Sequence, residues 1–201
     1  MKSTFLPCLT ALVLAAGTGI TNAQATNENY ETSATNNSDY NTNSTTSNHR
    51  GSLSERDYRF VKEATVGGQM EVTLGQLAQQ NAQDQAVRDF GARMVRDHQA
   101  ADQELAQIIS QKNAGVSDEP GMMAAHMIKH LQGLKGTEFD TAYIKHMVAE
   151  HKKDIKEFQK EAENGEDADV KNFASKTLPT LQDHLRMAED AQTKLSSSAS
   201  K

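Results

Sequence analysis

Tryptophan is missing from this chain of 201 residues, all aromatics together make up 5%, and there are only three prolines and one cysteine, Cys8. A lone cysteine can neither close a disulfide within the chain nor form a Cys-based zinc motif. Lysine and arginine number 21 against 27 aspartates and glutamates, for a net charge of −6. The basic footprint of a nucleic-acid binder is therefore missing, and no nucleic-acid partner is expected. No apolar run reaches the roughly 20 residues of a membrane-spanning helix. There is no glycine-rich phosphate loop and no nucleophile inside an activating motif. What is abundant (alanine, glutamine, glutamate, lysine and leucine) favours helices, and so does the scarcity of proline.

Residues 1–23 read as an export signal. Lys2 supplies a short positive start, Phe5 to Ile20 is largely apolar, and Thr21-Asn22-Ala23 ends in the small residue a signal peptidase needs. Cys8 stands near the start of the apolar run and not after it, so it does not stand where a lipidated cysteine would. Cleavage after Ala23 leaves a mature chain with no cysteine and no transmembrane span. Such a chain suits an oxidising compartment, the periplasm or the face of the outer membrane. Residues 24–53 are dominated by Asn, Thr and Ser and bury too little apolar surface to offset their ordering entropy. They read as a disordered tether, dispensable for folding, and His49 falls within it.

The folded part is expected over 54–195, with a frayed serine-rich tail over 196–201. The first long helix starts at the capping pattern Ser54-Glu55-Arg56-Asp57 and runs to about Asn81; the second is capped by Asp84 and runs to about Lys112. The third starts at Thr137-Glu138-Phe139-Asp140 and stops at Gly165. The fourth is capped by Asp167 and runs to about Leu195, with Pro179 inside it removing one backbone donor and expected to kink it. Apolar residues recur in steps of three and four, as with Val87, Gly91, Met94, Ala101, Leu105 and Ile108 on the second helix. Four such stripes are buried most simply in a bundle. Between the second and third helices the connection is long and includes an expected short helix from Pro120 to Leu134. A connection of that length can run along the bundle and make those two helices parallel. The expected fold class is all-α: a ferritin-like four-helix bundle with a long crossover containing a short helix.

The two hairpins also resemble each other. A shift of 83 positions lays Phe60 on Tyr143, Glu71 on Asp154, Val87 on Val170 and Phe90 on Phe173. His98 and His184 are 86 apart, which reads as a near-turn insertion around Pro179. Gly67 and Gly68 fall on Glu150 and His151, as though the first helix gave room to larger polar groups on the third.

Glu71, His98, Asp154 and His184 interrupt the apolar stripes, and His151 lies one turn from Asp154. A buried carboxylate without a partner costs several kcal/mol or takes up a proton. At about 1.5 Å per residue these groups stand roughly 20 Å from a bundle end and should meet near its middle. A di-iron centre needs Glu-x-x-His on two helices. Here Val95 and Leu181 stand three residues before His98 and His184, so both motifs are absent. Carboxylates with two or three histidines suit a single transition metal such as Zn, Mn, Fe or Cu, or else a hydrogen-bonded polar core with no metal. A weaker candidate is Met122, Met123, His126, Met127 and His130 in the crossover, since thioethers and imidazoles can hold Cu(I); packing material is the plainer reading of such a helix. His146 reads as surface-facing.

Several segments together resemble the bacterial domain of unknown function 4142 family. They are Phe60-Val61-Lys62-Glu63-Ala64, Glu71 to Ala78 (EVTLGQLA), Val87-Arg88-Asp89-Phe90, Arg93 to His98 (RMVRDH), Met147 to His151 (MVAEH), Phe173 to Lys176 (FASK) and Leu178 to His184 (LPTLQDH). The resemblance covers roughly residues 54–195 and implies a ferritin-like fold and export. It implies no reaction. Three functional readings stand side by side: a non-enzymatic envelope protein acting in stress tolerance by binding metal or a partner, a ferritin-like metal-dependent oxidase or peroxide scavenger, and a structural or interaction module. The sequence does not choose between a protein partner and a homo-oligomer.

Overall fold

The structure, a computed structural model, describes residues 47–117 and 119–199; the export signal and residues 24–46 of the expected tether lie outside the described residues. The described residues form helices α1 (Ser47–Arg50), α2 (Glu55–Asn81), α3 (Gln85–Gln111), α4 (Met122–Gln132), α5 (Gly136–Asn164) and α6 (Ala168–Ala199), with no strand among them. The helix starts follow local chemistry. Ser54 Oγ accepts the Asp57 N–H at 3.2 Å, and the Asp84 carboxylate accepts the Ala86 N–H at 2.7 Å. Asp167 Oδ1 accepts the N–H groups of Asp169 and Val170 at 3.0 and 3.2 Å. Each satisfies donors that have no partner inside a first helical turn.

Contacts at the ends fix the topology. Arg56 donates to the Asn164 carbonyl at 2.9 Å, and Lys112 pairs with Asp167 and Asp169 at 2.8 and 2.7 Å. The start of α2, the end of α3, the end of α5 and the start of α6 therefore meet at one end. At the other end the Asn81 amide donates to the Leu134 carbonyl at 3.2 Å. The crossover thus runs the length of the bundle and α3 lies parallel to α5, the ferritin-like arrangement. On the way α4 packs on α2 and α5 through its own Leu131, which is fully buried.

The internal repeat has a structural meaning that residue matching alone did not reveal. Asp57 accepts the N–H groups of Glu166 and Asp167 at 2.9 and 3.0 Å; Asp140 accepts those of Gln83 and Asp84 at 3.1 and 2.9 Å. Both carboxylates are buried. All three pairs are related by the same shift of 83, so each hairpin caps the turn of the other. Asp140 therefore serves the α2–α3 turn, not its own helix. The N-cap of α5 is Lys135, with no side-chain cap, and Thr137 sits in the first turn. The shift also persists beyond Pro179, pairing buried Leu105 with Ala188 and buried Ile108 with Ala191, and α6 runs unbroken across the proline. No insertion is needed there: His98 and His184 occupy non-equivalent turns, aligning with Leu181 and Ala101.

Both ends of the expected domain shift. Residues 47–53 belong to the fold and not to a tether, because Leu53 is buried and the His49 carbonyl accepts the Gly115 N–H at 2.6 Å. The tail expected to fray from 196 stays helical through Ala199, its serine hydroxyls donating to the carbonyls of Gln192 and Lys194. On the α2–α3 face, a Cβ on Gly91 would lie 2.6 Å from that of Ala78 and 2.8 Å from the Gly75 carbonyl oxygen. These glycines let the two backbones approach closely.

At the α5–α6 end, burial pushes the Asp57 carboxyl up, but hydrogen bonds from Glu161, the Glu166 N–H, Ser54 and the Asp167 N–H outweigh it and hold it below its usual range. Glu161, buried and then hydrogen-bonded to Asp57, is pushed up to about 7. Neutral Glu161 is therefore the proton donor of this pair. Its contribution to stability is complete below its ordinary value of 4.5 and is lost as pH rises through about 7. Glu161→Gln should match the wild-type melting temperature near pH 4.5 and exceed it above pH 7, read by circular dichroism melts across that range. Parallel curves at every pH would show that Glu161 titrates normally.

Candidate metal centre

The core consists of two apolar halves with a polar belt between them. One half contains Leu74, Phe90, Met94, Tyr143 and Met147; the other contains Phe60, Leu105, Phe158, Phe173 and Leu181. The repeat exchanges the halves, so the Phe90–Tyr143 ring pair (6.0 Å) has its counterpart in Phe173–Phe60 (6.5 Å). Between them, each long helix sends in one polar side chain: Glu71 from α2, His98 from α3, His151 from α5 and His184 from α6. All four are buried.

The three rings form a tight triangle, with centroids 5.4 Å apart for His98–His184, 5.3 Å for His151–His184 and 6.0 Å for His98–His151. One ligand-capable atom from each histidine lies within 4.8 Å of the others. Glu71 joins them, with Oε2 at 3.2 Å from His98 Nε2 and Oε1 at 3.4 Å from His151 Nδ1. Glu71 Oε1 and His98 Nε2 nevertheless have no hydrogen-bond partner among the described residues.

Outer contacts set the tautomers. His184 Nε2 lies 2.8 Å from Asp97 Oδ2, an acceptor, so it carries the proton. Asp97 is itself held by Arg93, one turn earlier on α3. His151 Nδ1 lies 3.0 Å from the Met147 carbonyl, a contact that favours the tautomer protonated there. The nitrogens left over, His151 Nε2 and His184 Nδ1, face each other at 3.3 Å, and each presents a lone pair.

The electrostatics keep the rings neutral. Burial, followed by the neighbouring histidines, pushes His98 and His151 down to about 3. Burial also lowers His184, although Asp97 opposes it. Burial and then Asp154 raise the Glu71 carboxyl well above its usual range, and Tyr143, buried with an unpartnered hydroxyl, is raised by burial and by Glu71.

Asp154 does not join the ring cluster. It stands half-buried on the wall of a cleft of about 1030 Å³, 4.0 Å from Lys153, and burial pushes its carboxyl up to about 6. The cleft is bordered chiefly by α2, α5 and the start of α4 and reaches Glu71 and His98. The room at Gly68 is filled by Asp102 of α3 and not by a group from α5; a Cβ there would lie 2.3 Å from Asp102 Oδ1. Burial pushes Asp102 up to about 6. His146, expected at the surface, is half-buried on the same wall with Nε2 unpartnered. In the crossover, Met122, Met123 and Met127 line the cleft, whereas His126 and His130 are exposed and stand apart from it. Asp97 and Arg93 were missed in the sequence; the available signal was an i, i+4 pair inside RMVRDH, next to His98.

Among the described residues no helix is long and apolar enough to cross a membrane. No curated protein matches the chain. Among the solved structures that share the fold are two DUF305 proteins. A DUF305 protein from Streptomyces coelicolor, described as secreted, is 17% identical with a TM-score of 0.61, the match covering 70% of this chain and 92% of that one. A DUF305 fragment from Deinococcus radiodurans is 11% identical with a TM-score of 0.62, covering 71% and 98%. At such identities the likeness concerns the fold alone. The family model for the domain of unknown function DUF4142 matches residues 42–191, three quarters of the sequence, and the chain belongs to that family.

Proposed function

We propose that this protein binds one transition metal ion at the centre of the bundle through His98, His151 and His184, with Glu71 as the fourth ligand. The observation that carries the reading is the pair of lone pairs on His151 Nε2 and His184 Nδ1, 3.3 Å apart with no proton to share. Two acceptors at that distance repel unless a cation lies between them, and burial disfavours an imidazolium. Metal bonds of about 2.0–2.1 Å in a tetrahedron put neighbouring ligand atoms roughly 3.3 Å apart. The His151–His184 edge at 3.3 Å and the His98–Glu71 edge at 3.2 Å already have that length. Asp97 and the Met147 carbonyl hold the rings by their other nitrogens, as partners of metal-bound histidines do. Neutral imidazoles with a carboxylate suit Zn, Mn, Fe or Cu. Asp154 is left out of this ligand set.

Export rests on residues 1–23, so the setting proposed is the cell envelope, with metal sequestration in stress tolerance as the role. A second reading, a metal-dependent oxidase or peroxide scavenger, is favoured by the cleft, which reaches Glu71 and His98 and admits small molecules to that edge. Elemental analysis of protein from its native envelope, purified without chelator or affinity histidines, tests the first reading. About one metal ion per chain is expected, by the one-ion geometry of such sites. His184→Ala from the same preparation should be metal-free. Consumption of Fe(II) or peroxide by the loaded protein, lost in His184→Ala, would establish the second.

A further inference from the structure

Most of the residues that line the cleft lie outside the metal centre; of the four ligands only Glu71 and His98 reach it. Its floor is the edge of one apolar half of the core, Phe60, Phe158 and Phe173 with Leu105 and Leu181, of which Phe60 and Phe158 are the most exposed at 8% and 9%. Its walls carry Glu63, Asp102, Glu150, Asp154 and Glu157 against two lysines, Lys62 and Lys153. Lys153 is largely exposed and is engaged by Glu150 at 3.0 Å. Asp102 has no hydrogen bond or ion pair among the described residues, although it is half-buried and Gly68 is the residue that gives it space. Deeper in, Glu71 Oε1 and His98 Nε2 are unpartnered on side chains whose residues are 2% and 7% exposed, and both residues line the cleft. A half-buried carboxylate without a counter-charge, above an aromatic floor, is costly to an empty protein and favourable to a bound cation.

From this we infer that the cleft is a binding site for an organic cation with an apolar body, of the class of a protonated aromatic amine. A volume of about 1030 Å³ is ample for such a molecule. A bare inorganic cation would use the carboxylates and leave the phenylalanines idle. The chain's own segment 24–46 is excluded by charge, since it contains Glu28, Glu31 and Asp39 and no lysine or arginine. The ammonium lies between Asp102 and Asp154, and the apolar body rests on the phenylalanine floor, with Met127 and Met70 at its flank. This site does not depend on a metal in the histidine cluster.

The test uses metal-free protein and phenethylamine, followed by amide-resonance NMR and calorimetry, with phenethyl alcohol as the uncharged isostere. The amine should bind saturably and the alcohol about ten-fold more weakly, the charge being the difference between them. Two variants probe the cleft itself. A Cβ on Gly67 meets nothing within 4 Å, so Gly67→Leu can fill the cleft without a clash in the helix. Asp102→Asn removes the unpaired charge. Each should weaken the amine about ten-fold while leaving stabilisation by zinc in place, which separates failure of this site from failure of the metal centre. Equal binding of amine and alcohol, no saturable binding of the amine, or unchanged affinity in both variants would overturn the assignment.

Discussion

Zinc added to the metal-free protein is expected to raise its melting temperature by roughly 10 °C when the free metal exceeds its dissociation constant about a thousand-fold. Mass action at that ratio contributes about 4 kcal/mol, and a chain of this size gains about 2–4 °C per kcal/mol. Mn(II) and Cu(II) are tried in parallel, since the donor set accommodates each. His98→Ala or His184→Ala should abolish most of the rise, whereas His126→Ala, at an exposed position outside the cleft, should not change it. The pH dependence follows from the burial of the ligands. A free imidazole protonates near pH 6.5, but His98 and His151 are pushed down to about 3 and stay neutral well below that. Glu71, raised by burial and by Asp154, must release a proton to ligate, so the metal effect weakens as pH falls through its raised range. If no metal moves the melting temperature, His151 takes the other tautomer, and the cluster is a hydrogen-bonded chain running from a neutral Glu71 through His151 and His184 to Asp97. The double change His98→Leu with Glu71→Leu would then be tolerated better than either single change.

The other large effect expected is on stability alone. Asp57→Ala and Asp140→Ala each leave two turn N–H groups without their acceptor, Glu166 and Asp167 in one case and Gln83 and Asp84 in the other. A hydrogen bond to a charged group contributes about 1.5–3 kcal/mol, so each variant, losing two, should lose roughly 3 kcal/mol, or about 6–12 °C in melting temperature. The Asp57 variant should lose more, because it also strands Glu161, whose proton it shares. Asp183→Ala is the control: its ion pair with Arg186 is on the surface, at 3.1 Å with both side chains more than half exposed, and is worth under about 1 kcal/mol. Urea unfolding of the four proteins gives the comparison directly. A loss in Asp140→Ala no larger than in Asp183→Ala would mean that the cross-hairpin caps are replaced by water at little cost.

The sequence by itself determined the helices, their order and the list of polar residues that break the apolar stripes. Caps and periodicity are local, so Ser54, Asp84, Gly165 and Asp167 marked real boundaries, and the long crossover gave α3 and α5 their parallel course. Shift-83 symmetry was also visible in the aromatic pairs. Only the tertiary structure decided which polar groups meet. Successive residues on a helix point about 100° apart, so one position separates His98, inside the belt, from Asp97, which reaches across to His184. The same geometry places His151 among the rings and Asp154, three residues later, on the cleft wall with Lys153. Asp57 and Asp140 looked like parts of local caps, yet their carboxylates serve turns more than fifty residues away in the chain. Periodicity specifies which face of a helix is buried. How far that helix is rotated and slid against its three neighbours depends on contacts such as Gly75 against Gly91 and Asp102 against Gly68, and those adjustments of a few ångströms separate a ligand from a bystander.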